Sequence, residues 1–197
     1  MKVLIACEFS GVVRDAFIAR GHDAWSCDLL DTESPGPHYK DDIKNVLRFG
    51  PKHWDLMIAH PPCTFLTYAG VRYWGNRHSQ QDQADAMDLF KFLYGSKIPK
   101  ICIENPRGLP CREFRKPDQE INPFDFGTPE RKRMCLWLKG LPLLNPTNPV
   151  VVNPSGSCIK SNGRKYNYYF HQAKNGKSRS VFFPSIAAAM AEQWGSL

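Results

Sequence analysis

The sequence predicts an α/β fold in which a mostly parallel sheet carries helices on both faces. Short aliphatic runs alternate with segments of helical spacing as far as about residue 140. Such alternation is typical of parallel strands joined by right-handed crossovers. Ligands of these sheets bind beyond the carboxyl ends of the strands, so polar residues at those ends are the first candidates for a functional site.

Each predicted strand is a short run of β-branched or aliphatic residues that ends at a glycine, a proline or an acidic residue. The strands are expected at residues 2–6, 23–27, 55–59, within 98–104, and at 134–138. Helices are expected at residues 12–20, 79–93 and 184–194. Gly21 is a suitable C-cap for the first helix, and Pro184 suits the first turn of the last.

Residues 141–178 differ in composition, being rich in Asn, Pro, Gly, Ser and Lys. We expect a core domain at 1–140, a small irregular insertion at 141–178, and a C-terminal helix within 179–197 that packs back on the core. The insertion contains an aromatic patch, made of Tyr166, Tyr168, Tyr169 and Phe170. These rings either stack on nucleic-acid bases or form the insertion's own small core.

The positive charge of the chain is concentrated in its C-terminal third. The net charge is +7, and residues 131–191 contain ten Lys and Arg but no Asp or Glu. A segment of one sign favours a polyanionic partner such as DNA or RNA over a merely solvated basic surface. The candidate nucleic-acid contacts are Arg164, Lys165, Tyr168, Lys174 and Arg179.

Several functional classes are disfavoured by the composition. No apolar run approaches the roughly 20 residues that cross a bilayer, and the N-terminus lacks a signal-peptide pattern. The seven cysteines contain no C-x-x-C pair, so we expect free thiols and no zinc site. We expect a protein of the cytoplasm, with no membrane partner and no obligate protein partner.

The strongest single motif is Pro61-Pro62-Cys63, directly after a predicted strand. Two prolines stiffen the chain, which holds the next side chain in a fixed direction at the sheet edge. A thiol in that position is placed to act as a nucleophile, although a buried structural cysteine is an equally good interpretation of the motif alone.

Acidic residues end three other predicted strands. Glu104-Asn105 ends an apolar strand, where partial burial of the carboxyl group would let it donate a proton near neutral pH. Glu8-Phe9-Ser10-Gly11 forms a turn in which the glycine permits close approach of a ligand. Asp28 suits the hydroxyl groups of a ribose, and Asp42 could reach an adenine amino group. Glu104 could equally be a charge that emerges from the sheet into solvent, and the other acids could be ordinary turn or cap residues.

Taken in order, these motifs resemble those of the cytosine-5 DNA methyltransferases, most closely the short phage and prophage members. Residues 127–133 resemble the basic motif of that family, and residues 180–194 resemble its C-terminal helix. The resemblance implies a Rossmann-like S-adenosylmethionine-dependent methyltransferase fold in a bacterial or phage-infected cell. It implies Cys63 as nucleophile at cytosine C6, Glu104 on the base, and Arg131 and Arg133 on the target. The implied cofactor-binding residues are Glu8, Phe9, Ser10, Gly11, Asp28, Asp42 and Pro61.

The chain departs from the family pattern in ways that leave its target sequence open. Thr64 and Glu130 stand where the family usually has Gln, and the glycine-asparagine pair before the last helix is absent. Three alternatives remain: an amino-group methyltransferase acting on adenine N6 or cytosine N4, a non-catalytic DNA-binding relative, and the same chemistry on RNA or a free nucleotide.

Overall fold

One mixed sheet organises the part of the chain that the structure describes. The computed structural model describes residues 1–76, 78–152 and 181–197, and the backbone alone of residues 157–159 and 165–167. The strands of the sheet are β1 (Lys2–Ala6), β2 (Asp23–Asp28), β3 (His38–Lys40), β4 (Leu56–Ala59), β5 (Lys100–Asn105), β6 (Gln119–Ile121) and β7 (Met134–Lys139). They lie in the order β3-β2-β1-β4-β5-β7-β6.

The first five strands are parallel, and the sheet reverses at β7. β7 pairs antiparallel with β5 on one side and with β6 on the other. β1 and β4 lie at the centre and are almost completely buried, which explains why their sequences are continuous aliphatic runs. The carboxyl ends of β1, β2, β4 and β5 therefore share one edge of the sheet.

Helices cover both faces of the sheet. They are α1 (Val12–Ile18), α2 (Ile43–Phe49), α3 (Gln80–Tyr94), α4 (Pro110–Glu113) and α5 (Pro184–Gly195). α1 and α5 contribute Phe17 and Trp194 to the core on one face. α2 and α3 contribute Val46 and Phe90 to the core on the other. The alternation of inward side chains along β1 supplies both cores, with Val3 on one face and Leu4 on the opposite face.

A polar network ties the antiparallel end of the sheet together. Both guanidinium nitrogens of Arg115 reach the carboxylate of Asp118, at 2.9 and 2.7 Å. Asp118 also accepts the backbone N–H of Leu138 in β7 at 2.6 Å. Burial raises the pKa of Asp118, but Arg115 and this N–H outweigh it and hold the pKa below its usual range.

The predicted fold class is confirmed: the fold is α/β, with a mostly parallel sheet and helices on both faces. All five predicted strands and all three predicted helices are present. The elements β3, β6, α2 and α4, which are only three to seven residues long, were not predicted from the sequence. Within the predicted insertion, β8 (Ser157–Ile159) and β9 (Lys165–Asn167) form an antiparallel pair.

Candidate functional site

The predicted site residues of β4 and β5 lie on adjacent loops at one edge of the sheet. β4 pairs in parallel with β5, with Ala59 opposite Ile103. Cys63 therefore follows one strand and Glu104 ends the neighbouring one. Cys63 is a half-buried thiol, and Glu104 is 7% exposed. Parallel pairing is the reason that two motifs separated by about forty residues in sequence reach one place.

Asn105 fixes the loop that carries Cys63. Its side-chain amide donates to the backbone carbonyl of Pro61 at 2.7 Å, and the asparagine is 1% exposed. A proline carbonyl buried beside the sheet needs such a donor, because an unpaired buried acceptor costs about 1–3 kcal/mol. The Glu-Asn pair thus combines a carboxyl group at the site with an amide that positions the Pro-Cys segment.

A second contact holds the same two loops together further from the sheet. The backbone N–H of Leu109 donates to the carbonyl of Leu66 at 2.8 Å, and Thr67 forms an isolated bridge with Gly108. A Cβ atom at Gly108 would overlap the Leu66 carbonyl group. Only glycine allows this approach of the two backbones, so Gly108 keeps the Cys63 loop against the Glu104 loop.

His60 lies beside Glu104. Its Nδ1 is 3.3 Å from Oε2 of Glu104, and its ring centroid is 4.5 Å from that of Phe182. Phe182 precedes α5, so the C-terminal helix closes this side of the site. Oε1 of Glu104 and Nε2 of His60 are buried, and neither has a hydrogen-bond partner among the described residues. The sequence analysis assigned no role to His60 or Phe182, although His60 precedes the Pro-Pro-Cys run.

The loop after β1 is shaped by Glu8. The carboxylate of Glu8 accepts the backbone N–H groups of Val13 at 2.7 Å and Arg14 at 3.3 Å, and therefore caps α1. Burial raises the pKa of Glu8, while His60 and these hydrogen bonds oppose the rise. Phe9 and Ser10 are also buried, and Gly11 has a left-handed φ of 77°. The side chains of Glu8, Phe9 and Ser10 are therefore mainly buried and support the loop itself.

Asp28 and Asp42 converge near the end of β1. Burial raises the pKa of the Cys7 thiol, and the carboxylates of Asp28 and Asp42 raise it further. Asp28 is half-buried and accepts the Leu30 N–H at 3.0 Å, whereas Asp42 is exposed and caps α2 through the Lys44 N–H. This acidic edge offers carboxylate oxygens to hydroxyl, amino or cationic groups of a ligand.

The basic motif is anchored at both of its ends. Thr128 Oγ1 lies 2.8 Å from Ser185 Oγ at the start of α5. Arg133 is exposed and lies 3.5 Å from Glu120, while Arg131 is exposed. Lys132 lies near the site, since its Nζ is 5.3 Å from the ring of Phe183, next to Phe182. The sequence analysis named the two arginines as site residues and did not name Lys132.

The predicted nucleic-acid contacts fall largely outside the described residues. Arg164, Tyr168, Lys174 and Arg179 all lie there. Lys165 is described by its backbone alone, at the start of β9. The described residues contain no cluster of histidine, cysteine and acidic side chains that could hold a metal ion. In that same part of the chain, every helix is too short or too polar to cross a membrane.

Comparison with known proteins gives a weak structural match. No protein-family model matches the chain, and no curated protein matches it. Among solved structures, the chain is similar to a proposed DNA modification methyltransferase encoded within a prophage (E. coli), with 16% identity and a TM-score of 0.49. The match covers 79% of this chain but only 54% of that one, so the chain spans about half of its neighbour's length. At this level of similarity the match does not transfer an activity to this chain.

Proposed function

We propose that the protein is an S-adenosylmethionine-dependent DNA (cytosine-5) methyltransferase. The observation that carries the proposal is the pairing of a half-buried thiol, Cys63, with a buried carboxyl group, Glu104, at the ends of adjacent parallel strands. Cytosine C5 is a poor nucleophile, and attack of a thiolate at C6 makes it reactive. A buried carboxyl group at the ring nitrogen stabilises the adduct as it forms.

The residues at the acidic edge fit the proposed cofactor. S-adenosylmethionine carries a sulfonium cation, ribose hydroxyls and an adenine amino group, all of which are complementary to carboxylates. Asp28 and Asp42 supply such groups on neighbouring segments, because the backbone N–H of Asp41 donates to the Asp28 carbonyl at 3.1 Å. Asp28 would hold the ribose and Asp42 the adenine, and Gly11 and Pro61 are further residues that we assign to the cofactor. When bound, the cofactor supplies an electrophilic methyl group.

The protein's own residues would then divide the reaction as follows. The thiolate Sγ of Cys63 bonds to C6, and the ring nitrogen N3 takes a proton from Glu104. C5 gains the methyl group, loses its hydrogen as a proton to a base, and the Sγ–C6 bond breaks as N3 returns its proton. An arginine of the basic motif, Arg131 or Arg133, binds O2 or a neighbouring phosphate. The target base must leave the duplex for this chemistry to occur.

A trapping experiment tests the proposal directly. The native protein, S-adenosylmethionine and a duplex containing 5-fluorocytosine should give a covalent adduct, because fluorine at C5 blocks the final loss of a proton. Cys63→Ser should form no adduct, whereas Cys111→Ser, which alters a half-buried thiol in α4, should react normally. An amino-group methyltransferase would methylate unmodified DNA without an adduct, and that result would contradict the proposal. The same experiment with an RNA duplex that contains 5-fluorocytosine shows whether the protein acts on DNA or on RNA.

A further inference from the structure

His60 lies between two buried carboxyl groups at the centre of the sheet edge. It directly follows β4, and its backbone N–H donates to the carbonyl of Ala6 in β1 at 2.9 Å. This bond places His60 between Glu8, which follows β1, and Glu104, which ends β5. Glu8 is 4% exposed and Glu104 is 7% exposed, so the imidazole is the basic group between two acids that water barely reaches.

The contacts of His60 favour Glu104 as its working partner. Glu8 already has its oxygens bonded to backbone N–H groups of α1. His60 Nδ1 and Glu104 Oε2 are 3.3 Å apart, and the ring of Phe182 limits the movement of the imidazole. On the α5 side, the charged group of Lys132 approaches the ring of Phe183, which is next to Phe182 in sequence.

One oxygen of Glu104 is unpaired within the part of the chain that the structure describes. Oε2 faces His60, whereas Oε1 is buried with no partner among the described residues. A buried unpaired carboxyl oxygen is rare in folded proteins and is found where a ligand or a reaction completes the bonding. Glu104 therefore has one oxygen fixed by the protein and the other available for a bound base after local adjustment.

We propose that His60 is a positioning residue that acts through Glu104, an inference that rests on the proposed cytosine-5 activity. In this role, the Nδ1–H group of His60 donates to Oε2 of Glu104. The proton on Oε1 of Glu104 passes to cytosine N3 as the Sγ–C6 bond forms. The Nδ1–H group stabilises the carboxylate that this transfer leaves. When the Sγ–C6 bond breaks, N3 returns the proton to Oε1, and His60 ends in its starting form.

Substitutions of His60 test this role because asparagine and glutamine carry the same amide group at different distances from the backbone. The side-chain nitrogen of asparagine can occupy the position of Nδ1, whereas that of glutamine lies one methylene further out. His60→Ala and His60→Gln should lower kcat by about 10- to 100-fold, the worth of one hydrogen bond to a charged group. His60→Asn should restore most of kcat. KM for DNA should stay near its native value in all three variants, because the hydrogen bond to Glu104 stabilises the proton transfer that follows binding of the base.

The matched control is His53→Ala, since His53 forms an exposed pair with Asp55 at 2.7 Å on the opposite edge of the sheet. Its kcat should be native. A native kcat in His60→Ala, or equal rates in the Asn and Gln variants, would overturn the inference. If these variants still formed the adduct at Cys63, the proposed function itself would stand. If His60→Ala does not fold, the Asn and Gln pair still decides the question. If the native protein forms no adduct with 5-fluorocytosine DNA, the proposed function fails and this role of His60 fails with it.

Discussion

Arg14 offers the sharpest test of how the proposed cofactor-binding edge is held together. Its guanidinium group is completely buried and donates to Asp15, Ser26, Thr32 and the Ser34 carbonyl at 2.8–3.1 Å. These partners belong to α1, to β2 and to the loop that follows Asp28. Arg14 thus fastens that loop to the turn after β1, and we expect Arg14→Met to release it while keeping an apolar stem of similar length.

The size of the effect follows from the burial of the charge and its bonds. Cβ atoms at Gly11 and Gly36 would come within 2.5 and 2.8 Å of the guanidinium group, so the group fills its space completely. Removing one partner from a buried, bonded ionic network typically costs about 3–5 kcal/mol. In a chain of this length, that loss corresponds to a fall in Tm of about 6–20 °C.

Urea unfolding at neutral pH measures the loss of stability in Arg14→Met. Calorimetric titration with S-adenosylmethionine measures how much the release of the loop weakens binding of this cofactor. The control is Arg20→Met, because Arg20 makes a 3.2 Å pair with Glu192 that is largely exposed. An exposed pair contributes about 0–1 kcal/mol, so this variant should be near native in both assays. If Arg14→Met lost no more stability than Arg20→Met, the network would not hold the loop as described.

Three further predictions concern the loops and the antiparallel end of the sheet. Asn105→Ala should leave the Pro61 carbonyl unpaired, which lowers stability by about 1–3 kcal/mol. It should also reduce kcat more than it reduces the affinity for DNA. Equal losses of kcat and DNA affinity would argue against a positioning role for Asn105. Gly108→Ala should force the Leu66 backbone away, costing about 1–3 kcal/mol by urea unfolding, and an unchanged stability would refute the close approach. Asp118→Asn should flatten the loss of stability in acid. The folded-state pKa of Asp118 lies below its unfolded value of about 3.9, so its contribution is present above that value and is lost as pH falls through the folded-state pKa. Unfolding between about pH 2 and 6 measures this, with Asp88→Asn as the exposed control in α3, and parallel curves for native and Asp118→Asn protein would contradict it.

The site shows how one motif can divide its work between chemistry and positioning. Glu104 faces the proposed base, whereas Asn105 turns to the Pro61 carbonyl and fixes the loop of Cys63. Gly108 then joins the same loops beyond the sheet edge. Because both contacts join the two loops, we expect that a loss at either of them affects the proposed catalysis before it affects the proposed cofactor binding at the acidic edge.

The strands that the sequence predicted well are those whose burial leaves little choice of residue. β1, β4 and the interior of β5 are buried on both faces and read as continuous aliphatic runs. β3 and β6 are three residues long and partly exposed, so their sequences lack a comparable signal. Their strand conformation depends on pairing with β2 and β7, which a local pattern does not encode.

For the site, the sequence alone determined the order of the motifs and the chemistry that each could offer. The thiol of Cys63 and the carboxyl group of Glu104 were both evident from their positions at strand ends. Only the tertiary structure decided that Glu8 caps α1 and that His60 lies against Glu104 beneath Phe182. The physical reason is that these roles depend on which strands pair and which helix returns to the sheet, and those contacts join residues far apart in the chain.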